Sequence, residues 1–246
     1  MNPTQAIGNP PPLLALGAHP DDIEFGCGGI IARETAAGRT VHFLVLTRGE
    51  ASSHGTPAQR DREAKAAAKI IGASLQFLPL AKDARLKPRT EYALKLAAAI
   101  RRLKPSLLLA PSLVKNQHPD HAAVGMLAQM AARLARYGGV KDRMLKGLPP
   151  HAIDGLLFYA VTPEGEPKDI APILIDISGG DFLDRWTRAM SAHASQLPTR
   201  NYVELQLCRA RVNGLRAGVQ HAIPLFPNDP LVFDSLAAIR TTARSF

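Results

Sequence analysis

The sequence is poor in cysteine, in aromatic residues and in long apolar runs. Of its 246 residues only Cys27 and Cys208 are cysteines, which excludes a disulfide framework and a zinc cluster built on cysteine. No run approaches the roughly 18 apolar residues of a membrane span, and the N-terminus lacks the cationic start and apolar stretch of a signal peptide. We therefore expect a soluble, cytoplasmic protein with no membrane span.

The charge is positive but evenly spread. Lysine and arginine number 30 against 21 acidic residues, a formal net charge of +9. The basic residues stand among alanines and leucines of predicted helices rather than in blocks, and aromatic residues for base stacking make up only 5%. The pattern argues against nucleic acid as a partner. It fits solvated helix faces or, as the alternative, an anionic small substrate.

Short apolar runs alternate with segments of helical spacing. The runs at 13–18 and 41–46 flank the helical pattern IIARETAAG, which ends at Gly38, and together they predict a β-α-β unit. The stretch 56–59 (TPAQ) has the cap, the proline and the glutamine typical of a helix start, and Thr90 is a second predicted cap. Further strands are predicted at 75–80, 106–111, 155–161 and 173–177, and further helices at 121–136, 180–194 and 201–217.

This alternation predicts the α/β class, with a Rossmann-like three-layer α/β/α arrangement around a mostly parallel sheet. We expect a single domain over residues 1–246, of which 1–12 form a flexible lead. The segments 140–152 and 162–172 are predicted to be loop insertions.

A polar segment, LGAHPDDIEFGCGG at 16–29, follows the first predicted strand. Its glycines, Gly26, Gly28 and Gly29, come too late after the strand and at the wrong spacing for a dinucleotide-binding fingerprint. Taken alone, this segment fits a plain turn, in which Asp22 caps the next helix, as well as it fits a functional site.

A second polar segment, NQHPDHAAVG at 116–125, also follows a buried strand and opens a helix. Because the carboxyl ends of parallel strands meet at one sheet edge, the two segments can converge in the crevice where such sheets bind ligands. His19 and Asp22 can chelate one zinc ion, and a histidine of the second segment completes a set of three ligands. Asp21 is then a spare carboxylate that can take a proton from metal-bound water, whose pKa the ion lowers to about 7.

Five motifs of the chain resemble those of the LmbE/PIG-L family, zinc-dependent N-deacetylases that act mostly on N-acetylglucosamine derivatives. The resemblance spans about residues 13–236, and within the family it is nearest to the bacillithiol-biosynthesis type. The motifs are AHPDD at 18–22, LTRGE at 46–50, the Arg60/Glu63 pair, HPDH at 118–121 and AHASQ at 192–196.

The resemblance implies the residues of a reaction centre. These are His19, Asp22 and His121 as zinc ligands, Asp21 as general base, His118 as acid or oxyanion stabiliser, and Asp120 as the residue that orients His118. The residue types suit these roles, because a tetrahedral oxyanion needs a Lewis acid and a donor opposite the base. Such ligands do not exclude Fe²⁺ or Co²⁺ in place of zinc.

The resemblance also implies substrate contacts for Arg60, Glu63, His193 and Asn116. Simpler alternatives stay open for several of the residues. Arg60 and Glu63 can pair on a helix surface as i,i+3 neighbours, Asp120 can cap a helix, and His193 can be an ordinary hydrogen-bonding residue.

Two positions depart from the family pattern. Ile223 stands where members often carry a glutamate, and Asn116 stands where other relatives have a tyrosine. Both departures concern the substrate pocket or the packing of subunits.

The sequence thus predicts a zinc-dependent hydrolase that removes the acetyl group from an N-acetylglucosamine-like substrate. The alternatives are an amidase for a larger amide, such as a thiol conjugate, and a non-catalytic Rossmann-like metal-binding protein. The expected partner is a small amino-sugar substrate, and the resemblance implies a homo-oligomer, a trimer or hexamer.

Overall fold

A computed structural model describes the chain over residues 9–116, 118–198, 200–238 and 242. The strands are β1 (Leu13–Gly17), β2 (Val41–Val45), β3 (Ser74–Phe77), β4 (Leu107–Pro111), β5 (Gly155–Tyr159), β6 (Ile173–Asp176) and β7 (Ala222–Pro227). The helices are α1 (Asp22–Ala36), α2 (Pro57–Ile71), α3 (Thr90–Leu103), α4 (Pro119–Arg136), α5 (Phe182–Ser191) and α6 (Tyr202–Arg216).

The strands form one seven-stranded sheet in the order β3-β2-β1-β4-β5-β7-β6. The neighbours from β3 to β5 pair in parallel, whereas β7 pairs antiparallel with both β5 and β6. The chain builds outward from β1 in one direction and from β4 in the other, so the strand order reverses between these two strands. Ligands of such sheets bind outside the carboxyl ends of the strands at this switch point.

Helices cover both faces of the sheet, which confirms the predicted single-domain α/β/α arrangement. On one face α3 and α4 bury residues such as Leu96 and Val124. On the other face α1, α2 and α5 bury Ile31, Ala67 and Trp186. No helix in the described part of the chain is long and apolar enough to cross a membrane.

The glycines of α1 allow this helix to pack tightly against its neighbours. A Cβ on Gly26 would overlap the ring of Tyr159, and one on Gly28 would lie 2.7 Å from Trp186. The same aromatic residues hold both ends of this turn through polar atoms, since Tyr159 Oη donates to Leu16 O of β1 (2.7 Å) and Trp186 Nε1 donates to Glu24 O of α1 (2.6 Å). The glycine cluster therefore serves the packing beneath the polar turn.

Replacing Gly26 with alanine is expected to lower the free energy of unfolding by about 1–3 kcal/mol, because the buried ring of Tyr159 has little room to yield. The gain in helix propensity offsets at most about 1 kcal/mol of this loss. Urea denaturation measures the change. The control is Gly139→Ala, an exposed site with no atom within 4 Å of the added Cβ. Equal stability of the two variants would show that α1 has more room than the structure indicates.

Several local predictions can be compared with the structure. Thr56 caps α2 as predicted, accepting from the Gln59 backbone N–H (3.2 Å). The prediction for Thr90 was wrong, because Arg89 is the N-cap of α3 and Thr90 is already helical. Strand β7 was not predicted.

The predicted flexible lead, 1–12, is wrong for its last part. Pro11 O accepts from Arg39 Nη1 (2.7 Å) and Pro12 O accepts from the Ser106 N–H (2.9 Å), so this end of the segment is attached to the fold. Residues 1–8 lie outside the described part of the chain.

Candidate active site

The turn from β1 into α1 places three polar side chains at the switch point. Asp22 is the first residue of α1, and its Oδ2 accepts from the backbone N–H groups of Ala18 (2.8 Å) and His19 (2.9 Å). The alternative in which Asp22 merely caps the helix is therefore wrong, since its carboxylate binds the strand end that precedes it. Asp21, the third polar residue of the turn, has φ 135°, a conformation that residues with a side chain rarely adopt.

The start of α4 brings His121 to the same point. His121 Nε2 lies 3.0 Å from Asp22 Oδ1, and His19 Nδ1 lies 3.5 Å from Asp22 Oδ2. All three residues are buried, and their potential ligand atoms lie within 4.8 Å of one another. Within the described part of the chain, the buried Nδ1 atom of His121 has no hydrogen-bond partner. Two imidazoles and a carboxylate in this arrangement can hold a divalent metal ion.

The other nitrogen of His19 faces two carboxylates, one from the loop after β3 and one from the first turn of α4. His19 Nε2 lies 3.0 Å from Asp83 Oδ1 and 3.6 Å from Asp120 Oδ2. Burial tends to raise the pKa of Asp83, but its contact with His19 outweighs burial and the pKa is about 2. A carboxylate behind a metal-binding histidine fixes the ring and its tautomer. Asp83 was missed in the sequence, although it follows β3 and so belongs to the same sheet edge.

His118 is the N-cap of α4, and its Nδ1 accepts from the Asp120 backbone N–H (3.1 Å). Its Nε2 is then the nitrogen that carries the proton in the neutral ring. Burial lowers the pKa of His118, and so do the neighbouring His19 and His121. The alternative that Asp120 caps α4 is wrong, because the helix starts one residue before it.

The carboxylate of Asp120 points to the loop after β3. It accepts from the backbone N–H groups of Ala84 (2.8 Å) and Leu86 (3.2 Å). Asp120 therefore contacts His118 through its backbone, and its side chain holds the loop that carries Asp83. This differs from the predicted role, in which Asp120 orients His118.

Arg60 is buried beside Asp21. Its Nη2 donates to Asp21 Oδ2 (3.1 Å) and to Pro20 O (3.0 Å), and its Nη1 donates to Gly49 O (3.2 Å). Burial raises the pKa of Asp21 to about 6, although the Arg60 guanidinium lowers it. The alternative of a surface pair between Arg60 and Glu63 is wrong, because each side chain binds a different partner.

Glu63 and His193 lie behind the cavity rather than at its surface. Glu63 accepts from Ser195 Oγ (2.6 Å) and from the Ser195 backbone N–H (3.1 Å). His193 is fully buried, with its Nε2 3.4 Å from Glu24 Oε1. Neither residue lines the cavity, which differs from the substrate contacts predicted for them. Glu63 connects the AHASQ segment to α2, and His193 connects it to α1.

The site opens into a cavity of about 680 Å³. The residues predicted for the reaction centre line it, except Asp120, and Asn116 lines it as well. Ile223 is buried in the core against Gly29. Wall residues that the sequence did not reveal are Ser52, Thr162, Glu164, Gln196, Arg200 and Tyr202.

Known proteins resemble this chain in sequence and in fold. A family model described as PIG-L, GlcNAc-PI de-N-acetylase, matches residues 14–132. Diacetylchitobiose deacetylase of Thermococcus kodakarensis is 31% identical over 196 residues, which is 76% of this chain and 70% of that protein. The 4-oxalmesaconate hydratase of Pseudomonas putida is 30% identical over 56% of this chain and 58% of that protein. The conserved protein TT1542 of Thermus thermophilus has the same fold, with a TM-score of 0.78, 35% identity, and coverage of 92% and 99% of the two chains.

The fold and the site, with these matches, define an α/β enzyme that hydrolyses N-acetyl amides beside a candidate metal centre. The chain belongs to the PIG-L/LmbE family of deacetylases.

Proposed function

We propose that the protein removes the acetyl group from an N-acetylglucosamine-like amino sugar. In this proposal His19, Asp22 and His121 hold a zinc ion, with Fe²⁺ or Co²⁺ as possible substitutes, and Asp21 is the general base. The observation that carries the proposal is the buried His-Asp-His cluster at the floor of a polar cavity, with a further carboxylate beside it.

The residues fit a metal ion chemically. The buried His121 ring directs its Nε2 to Asp22 Oδ1, 3.0 Å away, and its Nδ1 has no partner among the described residues. The Asp22 carboxylate is held by two backbone N–H groups. When bound, zinc supplies Lewis-acid chemistry, which polarises an amide carbonyl and makes water more acidic.

The two adjacent aspartates have different surroundings, and this supports different roles. Both oxygens of Asp22 have close neighbours, Oδ2 the two backbone N–H groups and Oδ1 the His121 ring. Asp21 lines the cavity and accepts from Arg60 through one oxygen. These contacts support Asp21 as the group that takes a proton from the attacking water and passes it to the departing amine.

His118, from the HPDH motif, also lines the cavity. Because its Nδ1 accepts a backbone hydrogen bond, Nε2–H is available to donate to the oxyanion that forms from the acetamide carbonyl. Asn116 also lines the cavity and is proposed to contact the substrate.

The substrate class follows from the cavity and the relatives together. The cavity is large enough for an amino sugar with an attached group, and it is lined by hydroxyl, amide, carboxylate and guanidinium groups suited to sugar hydroxyls. The Thermococcus relative is a deacetylase of diacetylchitobiose, which is itself an N-acetylated amino sugar.

The proposal is tested by incubating the purified protein with a panel of N-acetylated amino sugars, with and without added Zn²⁺, and measuring acetate. We expect metal-dependent release of acetate and of a primary amine. Two further arms address other activities: thiol-conjugate amides with larger acyl groups, and 4-oxalmesaconate, because one relative is a hydratase of that compound. Turnover confined to either of these arms would refute the deacetylase proposal.

Replacing Asp83 with asparagine is expected to weaken zinc binding about 10–100-fold, because the carboxylate behind the His19 ring is lost. Competition with a chromophoric chelator measures the zinc affinity. Asp61→Asn is the matched control, since among the contacts described Asp61 pairs only with Lys65 of the same helix and Arg48 of the loop after β2. Unchanged zinc affinity in the Asp83 variant would show that this contact does not support the metal site.

A further inference from the structure

The carboxylate of Asp21 is held by a backbone turn in a rare conformation. With φ 135° and ψ −25°, Asp21 lies where residues with a side chain are seldom found. Its side chain makes no capping hydrogen bond to α1. Such a conformation persists only when its surroundings impose it, so the contacts around this turn decide where the carboxylate points.

Arg60 supplies those contacts from a different element. It lies in the first turn of α2 and is only 4% exposed. One nitrogen, Nη2, donates both to the carbonyl that precedes Asp21 and to the Asp21 carboxylate, and Nη1 donates to Gly49 O. The guanidinium thus fixes the backbone and the side chain of the turn at the same time.

The LTRGE motif makes room for this arrangement. Gly49 has φ +67°, and a Cβ at this position would overlap the Arg60 guanidinium. The guanidinium therefore packs against the backbone of Gly49 while it contacts Asp21. Three separate segments, at residues 20–21, 49 and 60, come together around one cation.

We propose that Arg60, which also lines the cavity, is a positioning residue that fixes the turn at Asp21 and aims its carboxylate. This inference rests on the proposed function, in which Asp21 is the base. A planar guanidinium can donate to several acceptors in fixed directions, whereas a lysine ammonium cannot reproduce that geometry. The role differs from the substrate contact that the sequence predicts for Arg60.

The test is a double-mutant cycle of Arg60→Ala and Asp21→Asn, measured by steady-state acetate release. Arg60→Ala is expected to lower kcat about 100-fold, the effect of a misplaced reacting group, with KM changed less than about threefold. In the Asp21→Asn background the same substitution is expected to have no further effect on kcat, because Arg60 acts through that carboxylate. Added guanidinium ion is expected to restore part of the kcat of Arg60→Ala.

Arg60→Lys serves as a second variant should the alanine variant fold poorly, and its kcat is also expected to fall. Arg62→Ala is the control, since Arg62 is an exposed arginine on the same helix. Zinc affinity of each variant, measured with a chelator, is expected to equal that of the unaltered protein. A raised KM with unchanged kcat, or losses that multiply in the double variant, would overturn the positioning role alone. Full activity of Asp21→Asn would instead overturn the proposed function, and the positioning role with it.

Discussion

Replacing Asp21 with asparagine is expected to lower kcat roughly 10²–10⁴-fold while one zinc ion per chain stays bound. Asparagine has nearly the same shape and can still accept from Arg60 through its amide oxygen. It cannot take a proton from water, so the chemical step loses its base. Acetate release measures the rate, and elemental analysis of the purified variant measures the metal.

The adjacent residue provides the comparison for this experiment. Because Asp22 and Asp21 are neighbours with identical side chains, any general effect of removing a negative charge from the turn would act on both variants. A rate near that of the unaltered protein would show that another group is the base. Loss of zinc from the Asp21 variant would show that this carboxylate is a ligand.

Replacing Asp22 with asparagine is expected to abolish activity by a different route, through loss of the metal. Asp22 lies 3.0 Å from His121 and accepts two backbone N–H groups, so it connects both motifs of the cluster. Loss of a residue that only supports a ligand weakens metal binding by up to roughly 100-fold. Removal of Asp22, a direct ligand in this proposal, is expected to weaken zinc binding by more than that.

Zinc affinity of the Asp22 variant is measured with the same chelator as for Asp83→Asn. High concentrations of added zinc are expected to restore part of the acetate release, which they cannot do for Asp21→Asn. Tight zinc binding by the Asp22 variant would remove this residue from the ligand set.

The sequence predicts the layers of the fold and the position of the site because both depend on local patterns. Buried runs and helical spacing identify β1 and β4, and the carboxyl ends of these strands carry the two polar segments. Strand β7 was not predicted because Pro224 and Pro227 interrupt its apolar run. Proline has no backbone N–H to donate to a neighbouring strand. The structure accommodates Pro224 because the described pairing of β5 with β7 includes only Pro227 and Phe226.

Side-chain partners across the fold could not be predicted in the same way. The spacing of Arg60 and Glu63 indicates one helix face, but not that they turn to Asp21 and Ser195. Asp83 is an isolated acidic residue in a loop, and only the fold places it beside His19. The cytoplasmic location and the homo-oligomer stay predictions.

The most direct test of the central claim is a zinc titration of the protein after its metal has been removed with a chelator. Acetate release from an N-acetylated amino sugar is recorded after each addition. The account predicts no turnover at the start, a linear rise, and a plateau at one zinc ion per chain, with no rise for a His121→Ala variant. Turnover by the metal-free protein, or an equal response of the His121 variant, would contradict the account.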